Sequence, residues 1–478
     1  MKPNHITYIV SLLILAAGFS ACKKQIAIDP PNTKIVTTNV FNNDGTATAA
    51  LLSIYTQIRS LPYVLHQATG LSSDELNTNA IDQISKDLYL NSLSANDATN
   101  LFPSFQFWTS SYQYIYAANA VLENLQQSSG VSPKVKQQLI GEAQFIRAYL
   151  FFYLVNLYGD VPMATTTDYK VNSVLQRTPK VQVYQQMVQD LTNAQSNLSS
   201  KYVDATDTAS TSDRIRPTVW AAHALLARVY LFMGNGNYDK AELEAKKVID
   251  NAALFSLPTD LNTVFKQNSS EAIWQIAQYD GSGNVTFTSD ATGFVLSAPP
   301  SVNTAKSSTI STQLINAFES GDQRRVNWIG TYTNGISSWN YPAKYKDNAI
   351  TASSSSEYTT ILRLAEQYLI RAEARAQQGN TTGALADLNV IRNRAGLPNY
   401  AGAMDQTSII SAISHERQVE LFAEGDRWIN LKRTGSIDAV MGIVTAQKGG
   451  NWNSYQQLYP VPPSEVLNDP NLTQNPGY

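Results

Sequence analysis

Apolar residues recur at helical spacing along most of the 478-residue chain and predict a mainly α-helical fold. In residues 45–59, Leu51, Ile54 and Ile58 fall on one helix face, and we expect Pro62 to end that helix. Other segments with this period are residues 108–125, 135–158, 181–198, 217–232, 240–251, 359–378, 382–395 and 409–433. The second half of the 135–158 segment is apolar on nearly every side, which is typical of a deeply buried helix.

Two stretches lack this period and are predicted to be loop-rich. Residues 63–105 are polar and only weakly periodic. In residues 254–351, β-branched and aromatic residues alternate with Gly, Ser, Asn and Pro, so we expect irregular loops and one clear strand at residues 272–277. Because 43% of the residues are hydrophobic, the chain has enough apolar material for a large folded core, and we expect these loops to lie on its surface.

Two pairs of predicted helices carry small residues at a spacing similar to that of tetratricopeptide repeats. The matching positions are Ala227, Tyr230, Gly234 and Ala241 in the first pair, and Ala372, Gly379, Ala384, Leu388 and Ile391 in the second. Small side chains let antiparallel helices approach closely, and glycine allows the tight reversal between them. We therefore predict a tetratricopeptide-like helical scaffold with a loop-rich lobe that contains short β-strands.

The N-terminus has the features of a bacterial lipoprotein signal. Lys2 precedes an apolar run at residues 8–19, which is too short to span a bilayer. The small residues Ser20 and Ala21 then precede Cys22, an order that resembles the lipobox in which the cysteine is acylated, for example with palmitate, and becomes the new N-terminus. An ordinary signal peptide with an incidental cysteine is the alternative.

Charge and cysteine content exclude several classes of function. The formal net charge is only −3, whereas a protein that neutralises many nucleic-acid phosphates needs an excess of Lys and Arg. The single cysteine forbids an internal disulfide and a cysteine-cluster metal site. Polarity comes mainly from uncharged side chains and from 25 tyrosines, a composition that suits neutral polar ligands.

The common catalytic motifs are missing, which removes the commonest classes of enzyme but does not exclude an enzyme, and we expect no cofactor and no metal. There is no nucleophile elbow, P-loop or dinucleotide fingerprint. His415 and Glu416 begin like a zinc-protease helix, but Val419 occupies the position of the second histidine. We expect His66 to be solvated and His223 to be a core residue with satisfied hydrogen bonds.

Glu416, Glu420 and Glu424 recur at four-residue spacing on one predicted helix. Paired carboxylates of this kind could serve glycoside hydrolysis, and a lipid-anchored glycoside hydrolase using residues 416–424 is our alternative function. We favour structural ion pairs, with the nearby bases as partners: Arg417, Arg427, Lys432 and Arg433. The Arg371, Glu373 and Arg375 cluster has the same interpretation.

Aromatic residues within the loop-rich stretches are the candidates for ligand contact. Sugar rings present apolar C–H faces that stack on aromatic rings, while Asn, Gln and Asp take their hydroxyls. The candidates are Tyr63, Tyr89, Tyr279, Phe294, Trp339 and Tyr341, with Tyr332 nearby. Each could instead be a local packing anchor. Four tryptophans in periodic segments are assigned to the core: Trp108, Trp220, Trp274 and Trp428.

Several motifs, in order, resemble those of the SusD/RagB outer-membrane lipoproteins of Bacteroidetes. They are EAQFIRAY (142–149), LYGDVP (157–162), YLIRAEA (368–374), NVIRNRAGL (389–397), EGDRWINL (424–431), RTG (433–435), LYPVP (458–462) and NLTQNPGY (471–478). With this resemblance we divide the chain into a signal peptide (1–21), a tether (22–44), an N-terminal SusD-like helical region (45–253) and a C-terminal SusD/RagB region (254–478) with a loop-rich insertion at 254–351.

The resemblance implies a lipid-anchored protein that faces the cell exterior at the outer membrane. Such proteins capture an oligosaccharide, or sometimes a peptide, and deliver it to a SusC-like TonB-dependent transporter over which they sit as a hinged lid. The resemblance implies a binding protein, so we expect no enzymatic activity. The family motifs are mostly packing motifs, so no contact residue transfers by matching. A scaffold lipoprotein that binds neither glycan nor peptide is a third possibility.

Overall fold

The computed structural model describes residues 40–79, 83–95, 103–207, 209–279, 283–301, 306–349 and 352–478. The predicted signal peptide, Cys22 and most of the predicted tether lie outside these ranges. Within them, no helix combines the length and the apolar character needed to cross a bilayer.

The predicted mainly helical scaffold with a strand-containing lobe is confirmed. The first elements are α1 (Asp44–Ile58), α2 (Leu61–Ser72), β1 (Leu76–Thr78), α3 (Gln83–Leu90), α4 (Pro103–Gln127), α5 (Pro133–Tyr158), β2 (Val161–Pro162), α6 (Tyr169–Asn172), β3 (Arg177–Thr178), α7 (Lys180–Asn197), α8 (Val219–Met233) and α9 (Tyr238–Ile249). A 3₁₀ turn (Leu261–Thr263), β4 (Ala272–Ile276), α10 (Ser289–Phe294), β5 (Ser308–Ile310), α11 (Thr312–Ala317), α12 (Gln323–Trp328), β6 (Ile329–Thr333), β7 (Ser338–Pro342) and β8 (Thr359–Arg363) follow. The last elements are α13 (Leu364–Gln377), α14 (Thr381–Arg394), α15 (Gln406–Leu421), α16 (Arg427–Arg433), α17 (Ile437–Gln447), a second 3₁₀ turn (Ser454–Gln457) and α18 (Pro463–Asn468).

Helix α5 forms the centre of the core, as its all-round apolar pattern predicts. It packs against α4 and α7, and its residues 145–158 are all buried. Trp274 of β4 lies against it, with ring centroids 4.9 Å from Phe145 and 5.4 Å from Tyr149 in edge-to-face geometry. Gly159 ends the helix with a φ of +77°, a conformation that glycine adopts without strain.

The predicted repeat positions meet in two small apolar clusters. Ala227 of α8 and Ala241 of α9 pack together with Ala374 of α13. In the second cluster, Ala372 of α13 packs with Leu388 of α14, and α15 completes the layer. The helix reversals occur at Gly234 and Gly379, both with positive φ, so the small-residue spacing in the sequence does report tetratricopeptide-like helix pairs.

Buried arginine–carboxylate pairs connect neighbouring helices at several places. Arg147 of α5 donates to Asp190 of α7 at 2.9 and 2.6 Å, and Arg228 of α8 donates to Glu366 of α13 at 2.7 and 2.6 Å. The predicted cluster on α13 serves the same purpose. Its contacts are Arg371 with Asp387, Arg375 with Glu242 and Asp387, and Glu373 with Arg433. Such two-pronged pairs fix the register of the helices they join.

The expectation of loops over residues 63–105 was wrong. Helices α2 and α3 occupy much of this stretch, and Pro62 lies in the first turn of α2, where its missing N–H costs nothing. Helix α2 is short and packs against α4, so tertiary contacts stabilise it where the sequence period is weak.

Two predicted helices are also divided differently in the structure. The 359–378 segment begins as strand β8, which pairs antiparallel with β4 before α13 starts at Leu364. The 409–433 segment breaks between α15 and α16, where Ala423 and Gly425 have φ values of +54° and +77°. The Ala423 N–H donates to the Glu75 carboxylate at 3.3 Å, so a long-range contact holds the break.

The loop-rich lobe contains more regular structure than the single strand expected. The predicted strand at 272–277 is confirmed as β4. Three short helices and the strands β5, β6 and β7 are added to it, with β5 antiparallel to β1 and β6 antiparallel to β7. The β1–β5 pair connects the lobe to the N-terminal helices.

Three of the four tryptophans assigned to the core are fully buried. Trp108, Trp274 and Trp428 are each at most 2% exposed. Trp220 differs, because it is half-buried at the edge of the core and its indole N–H donates to the Ser200 carbonyl at 3.0 Å.

Candidate functional site

Tyr63 and Phe294 come together where α2 meets α10. Their ring centroids lie 5.1 Å apart in edge-to-face geometry. Gly293 makes this approach possible, because a Cβ there would lie 2.2 Å from the Tyr63 ring. Burial raises the pKa of Tyr63, and the nearby Asp290 raises it further. Phe294 itself is buried, so in this conformation its ring packs against Tyr63.

His66 lies beside this aromatic pair, and the expectation that it is solvated was wrong. It is 4% exposed, and its Nδ1 lies 2.7 Å from Oδ1 of Asp290. Asp290 is buried as well, and its second carboxylate oxygen has no hydrogen-bond partner in the described part of the chain. The polar partner comes from the distant lobe, so the local sequence around His66 could not reveal it.

Tyr279 follows β4 and lines a cavity of about 410 Å³. The opposite walls are α1, through Leu52 and Tyr55, and residues from the segments 203–205 and 211–216. The hydroxyl of Tyr279 lies 3.5 Å from that of Tyr358, and its carbonyl accepts a hydrogen bond from Arg59. This cavity therefore combines aromatic and aliphatic walls with polar groups at its rim.

Charge in this cavity is unevenly distributed. Arg216 pairs with Glu142 at 2.5 Å and with Asp207, so its positive charge is already neutralised. Asp204 and Asp213 also line the cavity, and Asp213 accepts from Asn268 Nδ2 at 2.8 Å. The cavity thus offers carboxylate acceptors more than cationic donors, which suits a ligand that donates hydrogen bonds.

Trp339 and Tyr341 lie on strand β7 of the β6–β7 hairpin. Trp339 is directly opposite Tyr332 on β6, and the two rings stack at 6.1 Å with an interplanar angle of 26°. The Tyr341 ring lies over Gly330, and a Cβ at Gly330 would be 2.3 Å from that ring. Burial raises the pKa of Tyr341. Ile336 at the hairpin tip is 94% exposed, so the hairpin projects into solvent.

Tyr89 lies apart from the other candidates, on α3. Its ring faces Lys448, whose ammonium nitrogen is 4.8 Å from the ring centroid. Its hydroxyl donates to Asn77 at 3.4 Å. Burial lowers the pKa of Lys448 to about 7. The structure therefore distributes the six candidates over separate places: Tyr63 with Phe294, Trp339 with Tyr341 on the hairpin, Tyr279 in its cavity and Tyr89 on α3.

The acidic residues at 416–424 are held in ion pairs: Glu416 and Glu420 are buried on α15, and Glu424 lies in the turn that follows this helix. Glu416 lies 2.6 Å from Arg324, and Glu424 lies 2.5 Å from Lys344. Glu420 is 0% exposed, and burial would raise its pKa, but surrounding guanidinium groups, first that of Arg394, bring the pKa well below its usual range. Structural ion pairing is confirmed for this helix.

The partners of these carboxylates are not the ones expected from the sequence. The nearby bases have other contacts: Arg417 with Asp426, Arg427 with Asp74, Lys432 with the Asn156 carbonyl and Arg433 with Glu373. The actual partners of Glu420 are Arg324, Arg363 and Arg394, which come from the lobe, from β8 and from α14. Residues adjacent in sequence point to other sides of the helix and so reach other neighbours.

The other two histidines among the described residues, His223 and His415, have defined partners. His223 is half-buried, and its Nδ1 lies 2.5 Å from Glu244, so the predicted satisfied histidine is found. His415 has its Nε2 2.8 Å from the Ala317 carbonyl. Among the described residues, no group of three or more His, Cys, Asp or Glu side chains is arranged to hold a metal ion.

Sequence reasoning missed a groove beside α4. Trp108 was correctly assigned to the core, but Tyr112 and Tyr116 continue its stripe at four-residue spacing toward the surface. The signal was present in the sequence as an aromatic residue at every fourth position of a predicted helix.

Two family models match the chain. One, described as "SusD family", matches residues 180–478, and one described as "Starch-binding associating with outer membrane" matches residues 52–231. SusD-like protein P2 of Formosa agariphila is 26% identical, with both chains covered completely. The starch-binding protein SusD of Bacteroides thetaiotaomicron is 24% identical over 74% of this chain and 75% of its own length.

Solved structures show the same fold at lower identity. A SusD homolog from Bacteroides thetaiotaomicron matches with a TM-score of 0.79 and 19% identity, covering 92% of this chain and 98% of that one. A laminarin binding SusD-like protein matches with a TM-score of 0.74 and 22% identity, covering 92% and 100%. The family match over residues 180–478 spans more than half of the sequence, and the chain therefore belongs to the SusD family.

Proposed function

We propose that this protein is a cell-surface lipoprotein that binds oligosaccharide and delivers it to a SusC-like TonB-dependent transporter. The observation that carries the proposal is membership of the SusD family, together with relatives whose names record starch and laminarin binding. Peptide is the alternative cargo. The ligand class follows from these relatives and from the aromatic, weakly charged loop surfaces of this chain.

The hairpin and the Tyr279 cavity are the places best suited to hold a sugar. Trp339 and Tyr332 form a stacked aromatic surface on a projecting hairpin. Tyr279 offers a second aromatic wall beside the carboxylate of Asp213. Rings would cover the apolar faces of a pyranose, and in the cavity the carboxylate would accept from its hydroxyls.

The remaining four candidates are also proposed as ligand contacts, although less of each side chain is exposed. Tyr63 and Phe294 support each other at the α2–α10 junction, Tyr341 supports the hairpin, and Tyr89 lies with Lys448. Each of these rings could contact ligand after a local rearrangement of its neighbours.

Attachment to the outer membrane is proposed to use acylated Cys22. Cleavage after residue 21 would leave residues 22–44 as a tether between the lipid and the helical region. Such an anchor holds the protein at a membrane without a spanning helix. The proposed division into regions at 45–253 and 254–478, with the insertion at 254–351, places the hairpin in the insertion.

The glycoside hydrolase alternative draws no support from residues 416–424. Glu416 and Glu420 are buried and bound to guanidinium groups, and Glu424 is bound to the Lys344 ammonium, whereas a hydrolase needs an acid and a base facing the substrate. We propose a binding role without bond cleavage.

A binding survey tests the proposal. Purified residues 22–478 would be run by affinity electrophoresis through gels containing starch, laminarin or alginate, and a tryptic digest of casein would be tested by calorimetry. We expect retardation by at least one neutral polysaccharide and no release of reducing sugar. Cleavage abolished by Glu420→Gln in a folded protein would instead support the hydrolase.

A further inference from the structure

A groove runs between α4 and the C-terminal helix α18, away from the six candidate residues. Its inner part has a volume of about 320 Å³, and an outer part of about 360 Å³ shares Tyr112, Tyr116 and Glu465 with it. The inner wall opposite α4 is formed by the segment between Pro162 and Leu175. The groove therefore continues from a closed inner end to an open outer end.

Three aromatic side chains of α4 line one side of this groove, from its floor to its mouth. Trp108, Tyr112 and Tyr116 are four residues apart, so their Cα atoms are displaced by about 6 Å from one to the next along the helix axis. Trp108 is 2% exposed at the floor, Tyr112 is half-buried, and Tyr116 is 54% exposed at the mouth. The ring centroids of Trp108 and Tyr112 lie 5.0 Å apart. The two outer rings therefore offer aromatic surface to a ligand that has apolar faces.

The polar side of the groove consists of hydrogen-bond acceptors. Asn172 donates through Nδ2 to the Thr166 carbonyl at 2.7 Å, but its Oδ1 is shielded from solvent and has no partner in the part of the chain that the structure describes. Such an orphaned acceptor costs free energy unless a ligand or water satisfies it.

Two carboxylates complete the polar side. Glu465 and Asp469 are one turn apart at α18, and neither forms a salt bridge with a described residue. Burial raises the pKa of Glu465, and the neighbouring Asp469 raises it further. Both groups accept hydrogen bonds when ionised and repel other anions.

We propose that this groove is a second carbohydrate-binding subsite, which takes a neutral oligosaccharide with its sugar faces on Tyr112 and Tyr116 and its hydroxyls donating to Asn172, Glu465 and Asp469. The inference rests on the proposed function and extends it by a separate site and by the charge class of the sugar. Uronic acid polymers are excluded by the two carboxylates. A basic peptide is the competing occupant, because its side chains would pair with the carboxylates and its backbone N–H groups would donate to Asn172.

Calorimetry with defined probes tests this subsite. The probes are maltoheptaose, a laminarin heptasaccharide, an alginate heptasaccharide and octalysine, each titrated into residues 22–478. The variants are Tyr116→Ala, Tyr116→Phe and Glu465→Gln. Tyr169→Ala is the matched control, because Tyr169 is 73% exposed on the neighbouring helix α6 and does not line the groove. Trp339→Ala tests ligand binding at the β6–β7 hairpin independently of the groove.

We expect Tyr116→Ala to weaken binding of at least one neutral heptasaccharide about fivefold or more, as the loss of one aromatic stacking contact predicts. Tyr116→Phe and Tyr169→Ala should bind as the wild type does, and alginate should not bind the groove. If the sugar binds and Trp339→Ala weakens it while Tyr116→Ala does not, the subsite is wrong and the proposed function stands. If no sugar binds the wild type, both are wrong. Binding of octalysine that depends on Tyr116 and Glu465 would overturn the subsite in favour of a peptide groove.

Discussion

His66 and Asp290 meet at 2.7 Å although 224 residues separate them in the sequence. The contact joins α2 of the N-terminal helices to α10 of the loop-rich lobe, and both side chains are buried. It also supports the Tyr63–Phe294 aromatic pair, which lies at the same junction. The contact therefore adds to the β1–β5 strand pair and to the ion pairs of Arg324 and Lys344, which also join the lobe to the scaffold.

Asp290→Ala should destabilise the protein by about 1–3 kcal/mol, because it leaves the buried His66 ring without its partner. The measurement is urea unfolding followed by circular dichroism. Asp239→Asn, on an exposed position of α9, is the control and should change the free energy of unfolding by less than about 0.5 kcal/mol. Equal stability of the Asp290 variant and the control would show that the contact contributes nothing.

The buried carboxyl group of Glu75 should make the free energy of unfolding depend on pH. Burial, and then the adjacent Asp74, raises the pKa of Glu75 to about 8. The folded protein therefore prefers the protonated acid, so this contribution to stability is complete below the ordinary glutamate pKa and is lost as pH rises toward 8. Glu75→Gln removes this loss of stability, because the glutamine amide does not ionise. Relative to the wild type, the variant should gain on the order of 1 kcal/mol or more between pH 5 and pH 8.5 in urea unfolding. A constant difference between the two proteins across this range would contradict the raised pKa.

Glu420→Ala should cost about 3–5 kcal/mol, because it leaves buried guanidinium groups without their shared carboxylate. Thermal and urea unfolding measure the loss. Glu319→Ala is the matched control: Glu319 also pairs with an arginine, Arg392, but is itself exposed, so its loss should cost about 1 kcal/mol or less. A small effect at Glu420 would mean that the network is not structural.

Cys22→Ser should abolish acylation and release the protein from the membrane. The measurement is incorporation of labelled palmitate in the native host, followed by separation of membrane and soluble fractions. The wild type is expected in the outer-membrane fraction with label. Label retained by the Cys22→Ser protein would show that another residue carries the lipid, and an unlabelled variant that stays in the membrane fraction would show that no lipid holds the protein there.

The sequence predicts the scaffold well because its information is local. A helix buried on one face needs apolar residues at helical spacing, so its pattern is visible in the sequence. The small residues of α8, α9, α13 and α14 mark the close helix pairs. The break at Ala423 could not be predicted in this way, because it depends on Glu75, which lies hundreds of residues earlier. The strand β8 was hidden for the same reason, since its partner β4 lies in the lobe.

The candidate site is less predictable than the fold. Aromatic content marks residues that are able to bind a sugar, but only tertiary structure decides which rings keep an open face. Phe294 is buried against Tyr63, whereas Trp339 stands on a projecting hairpin. The groove beside Tyr116 draws one wall from α4 and another from α18, so no local window of sequence contains it.

The most direct test of sugar binding is the affinity of residues 22–478 for a neutral oligosaccharide, compared between Trp339→Ala and Ile336→Ala by calorimetry. Both residues belong to one hairpin, but only Trp339 stacks on Tyr332. We predict that Trp339→Ala weakens binding about fivefold to tenfold without a large fall in melting temperature, and that Ile336→Ala binds as the wild type does. Unchanged affinity in the Trp339 variant, or a wild-type protein that binds no oligosaccharide, would contradict the account.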